Sequence, residues 1–70
     1  MNMKLKTKIK EFRAELDISQ GELAAMVGVK RETISRLERG LYTPSLKLAM
    51  DIAKVFCVSV EELFFFNFED

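Results

Sequence analysis

The sequence predicts an all-α domain of five short helices, and three observations predict it. Two Ser-x-x-Glu capping boxes open helices at Ser19 and Ser59. Glycines stand at 28 and 40, where two helices need a stop. Between these marks, apolar residues recur at helical spacing. The 70 residues suit one domain, and 49% apolar with 31% charged content describes a globular chain, not a disordered one.

Each element follows from its own residues. Leu5, Ile9, Phe12 and Leu16 predict helix 1 over Lys8–Leu16, with Thr7 as N-cap and an end before Asp17. The Ser19–Glu22 capping box, with Ile18 and Leu23 as a hydrophobic staple, starts helix 2 over Gln20–Val27. Gly28 stops it, because the tight turn needs a residue at ease with positive φ. Helix 3 is expected over Arg31–Arg39, with Ile34 and Leu37 inward and Gly40 as its C′ residue. Gly40–Thr43 reads as a loop, with Thr43 as N-cap and Pro44 at the first position of helix 4. That helix turns Leu46, Ala49, Ile52, Ala53 and Phe56 to one face and ends near Phe56. The Ser59–Glu62 box, stapled by Val58 and Leu63, starts helix 5 over Val60–Phe64.

Composition excludes several classes. The longest uncharged runs are seven residues, Leu23–Val29 and Gly40–Leu46, too short for a membrane span. The chain therefore reads as cytoplasmic. Its single cysteine, Cys57, cannot pair internally and is expected to be a small packing residue. With no histidine and one cysteine, no metal site and no cofactor are expected. Three glycines make no phosphate-cradling loop, and serine catalysis would lack its imidazole base, so no enzyme is expected.

The informative window is Gln20–Arg39. Counted from Gln20, apolar residues fall at its fourth, eighth, tenth, fifteenth and eighteenth positions: Leu23, Val27, Val29, Ile34 and Leu37. Two helices crossing through a short turn come close at one point, where only a small side chain such as Ala24 fits. Gly28 makes the turn. Together with the capping box, these residues describe a helix-turn-helix.

The segment Ile18-Ser-Gln-Gly-Glu-Leu-Ala-Ala-Met-Val-Gly-Val, with Thr33-Ile-Ser-Arg-Leu-Glu-Arg-Gly, resembles the XRE-type, phage repressor/Cro-like DNA-binding family. Tyr42-Thr-Pro-Ser-Leu and Val58-Ser-Val-Glu-Glu-Leu extend the likeness to about Phe64. The resemblance implies one repressor-like domain over 1–70, with the helix-turn-helix at 20–39. It implies a sequence-specific regulator of transcription, most simply a repressor, which binds double-stranded DNA as a homodimer on a palindromic operator.

In such a unit the start of the second helix faces base edges. Here that start reads Lys30-Arg31-Glu32-Thr33, followed by Ser35 and Arg36. Arg31 can fork onto guanine, and Glu32 can accept from cytosine or orient Arg31. Lys30, Thr33, Ser35 and Arg36 can reach bases or phosphates. The alternative is a solvated face carrying a Glu32–Arg36 ion pair. The resemblance implies a backbone phosphate contact for Gln20 at the start of helix 2, where the positive helix end suits a phosphate. The Arg39–Thr43 loop can add a phosphate contact through Arg39, Thr43 or its backbone amides. It also implies a structural ion pair between Arg13 and Glu38.

Four of the six phenylalanines, Phe64, Phe65, Phe66 and Phe68, crowd the last seven residues. Their alternation, with Met3 and Leu5 near the other end, suggests a small antiparallel ribbon of Lys4–Lys6 with Phe66–Phe68. A dimer interface is expected from Leu63, Phe64, Phe65, Phe66 and Phe68, within a segment at about 58–70. The alternative is a tail folded onto its own core. A rival function is a protein-interaction module of the same fold, such as an antitoxin or regulatory subunit. No small-molecule site and no membrane partner are evident.

Eleven Lys+Arg balance eleven Asp+Glu. Residues 1–40 carry nine basic and six acidic groups, whereas residues 41–70 carry two and five. The neutral total hides a polarised chain, with the recognition helix in its positive half.

Overall fold

In the computed structural model, residues 2–69 are described; Asp70, the end of the predicted tail, lies outside them. Strand β1 (Asn2–Thr7) leads into helices α1 (Ile9–Leu16), α2 (Gln20–Val27), α3 (Arg31–Glu38), α4 (Leu46–Phe56) and α5 (Val60–Leu63), and strand β2 (Phe64–Glu69) closes the chain. The strands pair antiparallel, with Leu5 opposite Phe66 and Thr7 opposite Phe64. The ribbon is thus longer than the three-residue pairing expected from alternation.

One core takes residues from every element. Leu5 and Phe64 enter from the ribbon, Ile9 from α1, Leu23 and Ala24 from α2, and Ile34 and Leu37 from α3. Ala49, Ile52 and Ala53 enter from α4 and Leu63 from α5. Phe12 and Phe56 stack at 5.5 Å on the core's edge. Both capping boxes form, with Ser19 and Ser59 accepting from the amides of Glu22 and Glu62.

Several expectations need correction. Helix α4 is capped by Ser45, whose hydroxyl accepts from the Leu48 amide at 3.1 Å, and not by Thr43. Pro44 therefore lies before the helix, in the loop. Leu46 is then the first residue of the helix, and there, at the open end of the apolar face, it is 74% exposed and not core. Lys8, not Thr7, is the N-cap of α1, because Thr7 completes β1; its hydroxyl still accepts from the Ile9 amide, at 3.4 Å. Helix α3 stops at Glu38, with Arg39 as its C-cap. Helix α5 stops at Leu63, since Phe64 turns extended to begin β2. Leu5 reaches the core from a strand, and Leu16 is exposed, so the spacing that suggested one helical stripe spans two elements.

Cys57 is exposed and ends α4 in the left-handed region, at φ 57°. Its amide bonds Lys54 and the Val58 amide bonds Ala53, closing the helix with the geometry usually given to glycine. Cys57 is a turn residue and not a packing one.

Gly40 is constrained twice. Its φ is +69°, and a Cβ there would lie 2.5 Å from the Leu5 carbonyl oxygen. Gly28, at φ +75°, has nothing within 4 Å of the same position. Gly28→Ala should cost only the left-handed strain, about 1–2 kcal/mol. Gly40→Ala should add backbone overlap and cost about 2–4 kcal/mol. Urea unfolding midpoints of the two variants check the order.

Candidate nucleic-acid interface

The helix-turn-helix is built by α2 and α3. Gly28 turns the chain, and the Val29 amide bonds the Ala24 carbonyl at 3.0 Å. Helix α3 then starts at Arg31 without a side-chain cap, since Lys30 offers none. Its inner face is pinned by Ile34 and Leu37, both fully buried. Around them Lys30, Arg31, Glu32 and Arg36 stand exposed, and Thr33 and Ser35 are half-buried. Arg39 and Thr43 are exposed on the segment that follows. The structure thus places Lys30, Arg31, Glu32 and Thr33 at the start of α3 and Arg36 in its last turn.

A second group of polar side chains holds this helix in place. Arg13 on α1 donates from Nε to Glu38 Oε2 at 2.6 Å and from Nη2 to Oε1 at 3.2 Å. Its third nitrogen, Nη1, bonds the Ile18 carbonyl at 3.0 Å, just ahead of α2. The pair is largely shielded, with side chains 14% and 9% exposed. Gln20 joins it, donating from Nε2 to Glu38 Oε1 at 3.0 Å. The same amide's oxygen accepts a longer bond from Arg31 Nη1, at 3.4 Å. Gln20 is therefore more than a lone polar residue at a helix start. It links the ion pair at the end of α3 to the arginine at its beginning.

Tyr42 was not legible as a site residue. The Arg36 guanidinium lies over its ring, 5.9 Å from the centroid. Lys30, Glu32, Thr33, Arg36 and Tyr42 line one open concavity of about 450 Å³. Sequence periodicity holds no sign of this contact, because a glycine turn separates the two partners.

The expected interface residues divide. Leu63 is fully buried and Phe64 nearly so, and both pack in the chain's own core. Phe65, Phe66 and Phe68 are exposed, as is Met3 opposite Phe68. Among the described residues, no group of three or more acidic, Cys or His side chains could hold a metal. No helix there is long and apolar enough to cross a membrane.

Residues 9–63 match the family model described as helix-turn-helix. The chain belongs to the helix-turn-helix family. A relative in Archaeoglobus fulgidus, named an HTH-type transcriptional regulator, is 54% identical over 66 residues, covering 94% of this chain and 93% of its own. Within the family, the structure is similar to the P22 c2 repressor solved with a synthetic operator, at TM-score 0.74 and 31% identity over 77% of this chain and 82% of that one. It is also similar to the N-terminal DNA-binding domain of SinR from Bacillus subtilis, at TM-score 0.69 and 37% identity over 76% and 78%. These relatives are regulators and DNA binders, and no enzyme is among them.

Removing one side of the shielded pair strands the other. Glu38→Ala should destabilise the fold by about 3 kcal/mol, leaving Arg13 with only the Ile18 carbonyl. Arg13→Met combined with Glu38→Leu should recover much of that loss. Urea unfolding of the single and double variants measures both.

Proposed function

We propose that this chain is a sequence-specific DNA-binding transcriptional regulator that acts as a homodimer, with α3 in the major groove of a palindromic operator. One observation carries the reading. Lys30, Arg31, Arg36 and Arg39 stand exposed on and beside a helix whose inner residues, Ile34 and Leu37, are fully buried. A rigidly seated helix with an outward row of cations suits a polyanion with readable edges. That the structurally similar P22 c2 repressor was solved with an operator supports the same reading.

Arg31 is the first candidate for guanine, since its fork matches O6 and N7. Glu32 suits a cytosine amine. Lys30, Thr33, Ser35 and Arg36 extend the contact, and Gln20, Arg39 and Thr43 suit phosphates. Repression is the simplest outcome, because a protein bound at a promoter blocks polymerase access in the cytoplasm.

A dimer follows from reach. One eight-residue helix reads few base pairs, and a two-fold pair places two such helices about 34 Å apart, one turn of DNA. The exposed Met3, Phe66 and Phe68, aligned across the ribbon by its register, are the apolar face offered for this contact.

Selection from a random-sequence DNA pool should enrich a palindrome. Binding should weaken with salt at a log–log slope near −0.9 per phosphate neutralised. Arg31→Ala should relax one position in each half-site and cost about 1–3 kcal/mol there. Arg39→Ala should weaken all sequences alike and lower the slope by about one. A pool that enriches nothing, with binding indifferent to salt, overturns the reading in favour of a protein-interaction module. Sedimentation across a concentration series tests the dimer, and a monomer at tens of micromolar rules out this interface.

A further inference from the structure

The Arg36–Tyr42 contact has no role in the reading above. Two partners compete for the Arg36 guanidinium. Glu32 lies one helical turn before it and lines the same concavity, an arrangement that ordinarily yields an ion pair. No such pair forms: the ion pairs among the described residues join Arg13 to Glu38 and Lys47 to Asp51. The guanidinium lies over the Tyr42 ring instead.

The chain reaches this arrangement through the turn after α3. Gly40, at φ +69°, lets its own amide bond Leu37 at 2.9 Å and the Leu41 amide bond Arg36 at 3.1 Å. That reversal carries Tyr42 back beside the helix, and Tyr42 is itself held by packing against the core. The ring is thus a fixed partner for a long, rotamer-rich side chain.

We infer that Tyr42 is a positioning residue for DNA recognition, holding Arg36 away from Glu32 with its donors free. The chemistry of the two contacts makes the difference. A carboxylate partner occupies the N–H fork of arginine and neutralises its charge. An aromatic ring attracts the cation through its quadrupole and takes up no N–H donor. Arg36 then presents an intact fork to a phosphate or a guanine edge, with less side-chain freedom to lose on binding. Glu32 keeps an unpaired carboxylate for the cytosine amine. The inference rests on the proposed DNA reading, and Tyr42 itself needs no contact with DNA.

The test has two arms. In DNA-free protein, NMR should find the Arg36 side-chain protons shifted upfield by the ring current, with the shift kept in Tyr42→Phe and lost in Tyr42→Leu. On the selected operator, Tyr42→Phe should bind within about twofold of the parent, and Tyr42→Leu should bind about 2–5-fold more weakly. In an Arg36→Ala background, Tyr42→Leu should have no further effect. Replacement of Tyr42 by progressively fluorinated phenylalanines keeps the shape, protecting the test from misfolding, and should weaken binding stepwise as the ring face loses negative charge. No ring-current shift in the parent protein overturns the inference alone. So does an equal loss for Tyr42→Leu with and without Arg36, or a loss in Tyr42→Phe as large as in Tyr42→Leu. An upfield shift in a protein that selects no operator instead overturns the proposed function, and the inference with it.

Discussion

The Arg13–Glu38 pair is the contact on which the orientation of α3 depends. A helix of eight residues buries only two large side chains, Ile34 and Leu37, and those alone leave it able to roll or tilt. Glu38 stops that motion by fixing the helix's last turn to α1 through two bonds. Arg13 simultaneously holds the Ile18 carbonyl, which sets where α2 begins. One guanidinium therefore ties the ends of three helices together. Such a pair adds little net stability once desolvation is counted. Its value lies in direction, because five donors in a rigid fork accept few geometries.

The opposite constraint acts at Gly40. The Leu5 carbonyl occupies the space that a side chain would need, so the ribbon presses on the turn immediately after Glu38. Lys8 continues the link, its amide bonding the Leu63 carbonyl at 2.9 Å. The ribbon thus does more than cover the core with Leu5 and Phe64. It braces the same end of α3 that the ion pair anchors, and the other end, from Lys30 to Glu32, is turned to solvent.

Much of this was legible because it depends on local chemistry. A Ser-x-x-Glu box needs only four residues, and both boxes form as read. Gly28 and Gly40 ended helices because positive φ is a property of one residue. Sequence and structure part where two local signals compete. Thr43-Pro44 reads as a helix start, yet the Ser45 hydroxyl takes the cap, so Leu46 opens the helix and lies exposed at its first turn. Leu5 fitted a helical spacing with Ile9, yet its strand partner Phe66 lies 61 positions away in sequence. Cys57 looked like a packing residue by type, whereas α4 needed a left-handed residue there. The site divided similarly. The α3 residues follow from their helix, but Gln20's link to Glu38 and Arg36's contact with Tyr42 join separate elements.

Neutral overall charge takes on a different meaning once the cations have places. A strongly basic protein binds nucleic acid anywhere, which raises occupancy of wrong sites along with the right one. Here two cations among the described residues are already paired: Arg13 with Glu38, and Lys47 with Asp51. The ones left exposed near α3 are few, and they are attached to a helix whose direction is set. Fewer phosphate contacts mean a shallower salt dependence and weaker nonspecific binding. In the proposed role, affinity then comes from well-aimed contacts and from doubling them in a dimer. In a chain with this charge balance, holding Arg31 and Arg36 in place counts for more than adding further positive charge, and Gln20 and Tyr42 are the side chains that hold them.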